Sequence, residues 1–235
     1  MGSNNDDGED GGGWSEVLAR DEMAASLAEI LVHPFILGLS DGSLPAAVFD
    51  EYLRQDALYL STFARCLAAL AAHAPVTSWA GVLARHSAEV VDGERALHAR
   101  LLREVPGSGG LDSTAPNAAA AAYVEFLTAS CCRGGAFHEG LAAVLPCYWI
   151  YRRVGEELAR AAVPSPDARY RAWVEEYSDA EFARGVDELR GVLDAAARTL
   201  TAEQREAMRP LVRRAAGFEW RFWDAVWQQQ QQQQM

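Results

Sequence analysis

Apolar side chains recur along this chain at steps of three and four. Phe49, Tyr52, Leu53, Tyr59, Leu60, Phe63, Leu67 and Leu70 share one stripe of a helix. Pro45, with Ser43 ahead of it, suits the start of that helix. The same period predicts helices from Ser15 to about Leu39, closing near Gly42, and from Ser78 to Glu104 after Pro75. It returns at Asn117 through Tyr123, Phe126 and Leu127, and pauses at Gly134-Gly135. Between these, Val105–Ala115, with Pro106 and its glycines, predicts a loop. Leu141–Tyr151 (LAAVLPCYWIY) is apolar all round, which predicts burial on every side and a local kink at Pro146. Pro164 and Pro166 close that segment, and a short helix follows with Tyr170, Trp173, Val174 and Tyr177. Ser178 with Glu181, and Thr201 with Gln204, read as capping boxes that open helices to about Thr199 and Trp227. No segment alternates as a strand would. The expectation is a single all-α domain of about seven or eight helices over residues 14–227.

The two ends change that picture little. Residues 1–13 are glycine-rich and acidic, and residues 228–235 are a run of Gln closed by Met; both are expected to be disordered tails. Hydrophobic residues make up 50% of the 235, enough for a real core. The net charge is −12, and all 21 Lys plus Arg residues are Arg. An acidic chain without a basic tract argues against nucleic-acid binding. The lack of Lys excludes a lysine Schiff base and a Walker-type phosphate lysine. Four cysteines do not make a disulfide scaffold, and the vicinal Cys131-Cys132 pair lacks metal-ligand spacing, so core packing is its expected role. No apolar run is long enough to span a bilayer and no signal peptide is legible, so a cytoplasmic protein without membrane contact is expected.

Chemistry is sought where polar residues fall on the buried stripe. Asp56 has Tyr52 and Leu53 one turn before it and Tyr59 and Leu60 one turn after, while Asp50, Glu51, Arg54 and Gln55 supply the solvent side. Glu219 sits among Ala215, Ala216, Phe222 and Trp223, where desolvation raises a carboxyl pKa toward that of a proton donor. Cys147 lies on the all-apolar helix one turn from Tyr151. Each alone is more often structural than catalytic: a buried carboxylate is commonly an ion-pair member, and a buried Cys a small hydrophobe. His86, Glu89, Glu94 and His98 do not share one helix face and read as solvated helix charge. His33 and His73 read as helix-end residues, and His138-Glu139 as a cap or turn. Neither GxSxG, GxGxxG nor HExxH is present.

LPCYWIYRRVGEEL at 145–158 resembles the signature of the TenA family (thiaminase II, aminopyrimidine aminohydrolase). RQDALYL at 54–60, the helix opened by Tyr123, YRAWVEEYSDAEF at 170–182 and FEWRFW at 218–223 are similar to the other family blocks, in order. The resemblance implies a heme-oxygenase-like helical bundle, a homotetramer, and no metal or organic cofactor. It also implies hydrolysis of 4-amino-5-aminomethyl-2-methylpyrimidine to the hydroxymethyl pyrimidine and ammonia, with thiamin cleavage beside it. Position by position, Cys147 is similar to the nucleophile and Glu219 to the acid that protonates a ring nitrogen. Asp56 and Tyr177 match residues that bind the ring and its amino group, and Tyr59, Tyr123, Tyr151 and Phe222 the aromatic lining. LPCYW marks the branch that carries the Cys. Two other classes stay open at this point: a catalytically idle binder of pyrimidine or thiamin, and a metal-dependent oxidase on the same scaffold.

Overall fold

The computed structural model describes residues 12–94, 115–160 and 165–233. Among these the chain is helical, with no strand. Nine helices follow one another: α1 Trp14–Leu31, α2 Pro34–Asp41, α3 Ala46–His73, α4 Thr77–Glu89, α5 Ala118–Cys132, α6 Phe137–Ala159, α7 Ala168–Ser178, α8 Ala180–Ala197 and α9 Ala202–Gln233. A π-helical turn, Ala19–Met23, lies inside α1, and another, Val90–Glu94, prolongs α4. The expected loop at 105–115 and the end of the Ser78–Glu104 helix lie outside the described residues, Ala115 apart. So do His98 and residues 1–11.

The first expected helix is two helices. Pro34 has no N–H to give, and His33 in extended conformation accepts from the Phe35 N–H with its Nδ1 at 3.2 Å, so a new helix starts there. The two axes meet at 57°. Gly42, at φ 83°, closes α2 as a left-handed cap that a side chain would strain. The start of α1 follows Gly13, which offers no capping side chain; Asp194 of α8 accepts from the Ser15 N–H at 2.7 Å and Oγ at 3.0 Å instead. At the head of α8 the cap is Asp179 rather than the expected Ser178: its carboxylate takes the Glu181 N–H at 2.7 Å. The Thr201–Gln204 box at the head of α9 forms reciprocally, at 2.9 and 3.3 Å. Glu139 caps α6 by accepting from the Ala136 N–H at 3.0 Å.

α6 is the centre of the bundle, packed by α5, α7, α8 and α9, while α3 packs on α4 and α5. Its residues Leu141–Leu145 are fully buried, as an all-apolar helix requires. Gly155 lets α7 approach: a Cβ there would stand 2.5 Å from the Tyr177 carbonyl. Two polar residues expected on the solvent side of α3 are buried. Asp50 is paired with Arg169 of α7 at 2.8 Å, and the Gln55 amide holds the chain at Ala115 and Asn117, at 3.1 and 2.9 Å. The glutamines also depart from expectation: α9 continues through Gln233. No single helix among the described residues is long and apolar enough to cross a membrane.

Candidate active site

Helices α3 and α6 face each other across a narrow inner pocket. The 3.6-residue repeat brings Asp56, Tyr59, Leu60 and Phe63 to it from α3, and Cys147, Tyr148 and Tyr151 from α6. Tyr177 of α7 and Phe182 of α8 complete the wall. Five residues singled out in the sequence, Asp56, Tyr59, Cys147, Tyr151 and Tyr177, therefore border one hollow. The other three, Tyr123, Glu219 and Phe222, stand directly behind that lining. Tyr123 packs on Tyr59 with ring centroids 4.9 Å apart, and Phe222 meets Tyr59 at 5.8 Å and Tyr52 edge-on at 6.1 Å.

The acid end is built around Glu219, which is 2% exposed. Tyr123 donates its hydroxyl to Glu219 Oε1 at 2.5 Å. Burial pushes the carboxyl up to about 8; the Tyr123 hydrogen bond works against this, and the neighbouring charge of Asp56 adds to it. At neutral pH Glu219 thus holds a proton. Burial, with Glu219 and Cys147 close by, keeps the Tyr123 phenol protonated far into the alkaline range.

The sulfur end is Cys147, which is in no disulfide and is partly accessible rather than sealed into the core. It faces Tyr59, whose own acidity burial, Cys147, Tyr123 and Glu219 all suppress. The Tyr59 hydroxyl is buried without a well-formed hydrogen bond. A polar atom left so costs about 1–3 kcal/mol, which a ligand atom in the pocket would relieve. Cys147 and Glu219 are thus joined through the pair Tyr59 and Tyr123, on neighbouring sides of one site.

Asp56, 2% exposed, closes the third side. The Trp173 indole N–H donates to the Tyr52 oxygen at 3.2 Å, and the Tyr52 hydroxyl lies 3.5 Å from Asp56 Oδ2 and 3.2 Å from the Tyr151 oxygen. Tyr151 stacks obliquely on Tyr177 at 4.8 Å and on Trp223 at 5.2 Å. Among the described residues no three His, Cys, Asp or Glu side chains converge as a metal site.

Tyr148, Phe63, Phe182 and His86 were missed by the sequence. Tyr148 and Phe182 also border a wider outer groove, lined as well by Glu89, Glu176, Asp179 and Glu181 beside Arg85. His86, expected in solvent, is buried on the wall of that groove. The Cys131 thiol is buried as expected, whereas Cys132 is exposed.

The TENA/THI-4/PQQC family profile matches residues 20–229. The chain belongs to this family. It is 33% identical over 201 residues to the aminopyrimidine aminohydrolase of Bacillus subtilis, covering 85% of this chain and 84% of that one. A TenA homologue from P. horikoshii OT3 superposes with a TM-score of 0.82 at 28% identity, over 92% of this chain and 99% of that one. A Shewanella denitrificans domain with a heme-oxygenase-like fold superposes at 0.71 and 16% identity, over 93% and 94%, which establishes that fold class for this TenA-family chain.

Proposed function

We propose that this chain is an aminopyrimidine aminohydrolase. It takes 4-amino-5-aminomethyl-2-methylpyrimidine and water to the 5-hydroxymethyl pyrimidine and ammonia, a salvage step for the thiamin pyrimidine. The reading is supported by a tyrosine-walled pocket that Cys147 borders, with the Glu219 carboxyl, pushed up to about 8, behind its Tyr59 wall. The Bacillus relative named for this activity supports it across most of both chains.

Glu219 protonates a ring nitrogen, which makes the pyrimidine electron-poor. Cys147 then adds to a ring carbon, the amine leaves the exocyclic methylene as ammonia, water adds its hydroxyl to that methylene, and the thiol is expelled from the ring carbon. The acid must hold a proton while the thiol gives one up; burial sets the first, leaving the second to the pocket wall. Asp56 and Tyr177 take the ring and its amino group, while Tyr59, Tyr123, Tyr151 and Phe222 form or support the aromatic walls. Thiamin cleavage follows from the same chemistry, with the thiazolium ring leaving as a neutral thiazole. A cytoplasmic homotetramer without metal or organic cofactor is the state the family resemblance implies, and light scattering on purified protein tests the assembly.

The test is ammonia release from the aminomethyl pyrimidine by wild type, Cys147→Ser and Glu219→Gln. Loss of turnover in the serine variant, and a kcat loss with retained binding in the glutamine variant, are expected. Full activity of the serine variant removes the nucleophile; tight pyrimidine binding without turnover by wild type turns the reading into a storage or sensing protein.

A further inference from the structure

Three of the four cysteines meet away from the pocket. Cys66 of α3 is 0% exposed, and its thiol is in side-chain hydrogen-bonding contact with those of both Cys131 and Cys132 of α5. None of the three is in a disulfide. Successive side chains on a helix point about 100° apart, so Cys131 and Cys132 straddle Cys66 rather than face each other. Cys131 turns inward, with its Sγ 3.8 Å from the Gly140 carbonyl of α6. Cys132 turns outward and is exposed.

Packing accounts for Cys66 and Cys131, which serve as small apolar side chains. It does not account for an exposed thiol held against a buried one. That arrangement gives the two sulfurs different access: a reagent from solvent reaches Cys132, and only Cys132 among the pair can carry its oxidation on to Cys66. The other two pairings are disfavoured. A bond between Cys131 and Cys132 would have to bring together neighbours that the helix holds apart. A bond between Cys66 and Cys131 would need the oxidant inside the core.

We propose that Cys66 and Cys132 form an oxidisable dithiol site, at which a hydroperoxide oxidises Cys132 and Cys66 closes a disulfide that staples α3 to α5. The Cys132 sulfur attacks one peroxide oxygen, the O–O bond breaks, and the departing oxygen takes the thiol's proton, leaving a sulfenic acid. The Cys66 sulfur then attacks the Cys132 sulfur, the S–O bond breaks, and the hydroxyl leaves as water with the Cys66 proton. With hydrogen peroxide, two thiols give up two electrons to the O–O bond and two waters form. Burial, then the charge and hydrogen bond of Cys66, raise the Cys132 thiol, with Arg133 working against them. The Cys131 hydrogen bond and then burial raise Cys66 as well. Thiolate is therefore scarce at neutral pH, and the staple answers sustained peroxide rather than a brief pulse. Its place matters to the site: α3 also carries Tyr59 and α5 Tyr123, whose packed rings join the sulfur end to the acid end. The inference stands apart from the hydrolase reading, and its test reads no turnover.

The experiment treats the full chain with hydrogen peroxide, blocks remaining thiols with N-ethylmaleimide, and digests with trypsin without reductant. Wild type should run as a monomer on a denaturing gel and yield the Cys66 peptide joined to the peptide that holds Cys131 and Cys132. Its Tm should rise by about 5–10 °C, as closing so long a loop requires, and dithiothreitol should reverse both changes. Cys131→Ala should keep the link and Cys132→Ser should lose it. Should the Cys131 variant not fold, tandem mass spectrometry of the wild-type link assigns its sulfur directly. A link that survives in Cys132→Ser overturns the proposal, and so does Cys132 stopped at a sulfinic acid with Cys66 unlinked. A covalent dimer through Cys132, or a link that lowers Tm, overturns it too.

Discussion

The Tyr123 hydroxyl donates to Glu219 Oε1 at 2.5 Å, and this bond restrains a carboxyl that burial drives upward. Tyr123→Phe should therefore raise the Glu219 pKa above 8. The alkaline limb of kcat, where the acid loses its proton, should move to higher pH with it. Loss of one hydrogen bond to a buried group should also cost about 1–2 kcal/mol in urea unfolding. A kcat profile whose alkaline limb stays in place or moves down contradicts the assignment of that limb to Glu219.

Glu219 also makes stability depend on pH. Its pKa is about 8 in the folded chain against an ordinary 4.5. Below 4.5 both states hold the proton and there is no effect. Between 4.5 and 8 only the folded state holds it, so stability falls as pH rises. Above 8 the loss levels off at a few kcal/mol, on the order of 1.4 kcal/mol per pKa unit. Glu219→Gln does not titrate, so its Tm should gain on that of wild type from pH 5 to 8 and then keep pace. Parallel Tm curves across that window would place Glu219 in contact with solvent.

Gly155→Ala tests the seating of Tyr177. The added Cβ would stand 2.5 Å from the Tyr177 carbonyl, so α7 must move away from α6. Overpacking of this kind costs about 1–3 kcal/mol. Because Tyr177 borders the pocket and packs on Tyr151, KM for the pyrimidine should rise several-fold beyond what the lost stability explains. Unchanged KM would mean that Tyr177 contributes little to binding.

Asp194→Ala removes the tertiary cap from α1, far along the chain from the site. The expected cost is about 1 kcal/mol in unfolding, with kcat and KM unchanged. A drop in kcat would couple the start of α1 to the pocket.

Much of this was legible before any coordinates. Asp56 and Glu219 stood out because a carboxylate on an apolar stripe is costly, and both are indeed buried. Cys147 stood out by lying on a helix with no polar face. His86 was not legible. Arg85, Ser87 and Glu89 surround it with polar residues, and its burial is made by Tyr148 and by Glu188, 102 positions away. Asp50 and Gln55 failed for the same reason: Arg169 and the chain at Ala115–Asn117, distant in sequence, cover them. The break at His33 was half-legible. Pro34 marks it, but apolar residues continue on both sides and the period alone reads as one helix.

The glutamines prolong the same rod that carries Glu219, and Trp223 is locked into the core between them and the acid. Each residue added at that end extends the rod by about 1.5 Å, outward from the lock. Expanding or trimming the repeat would thus lengthen or shorten that helix while leaving the surroundings of Glu219 untouched.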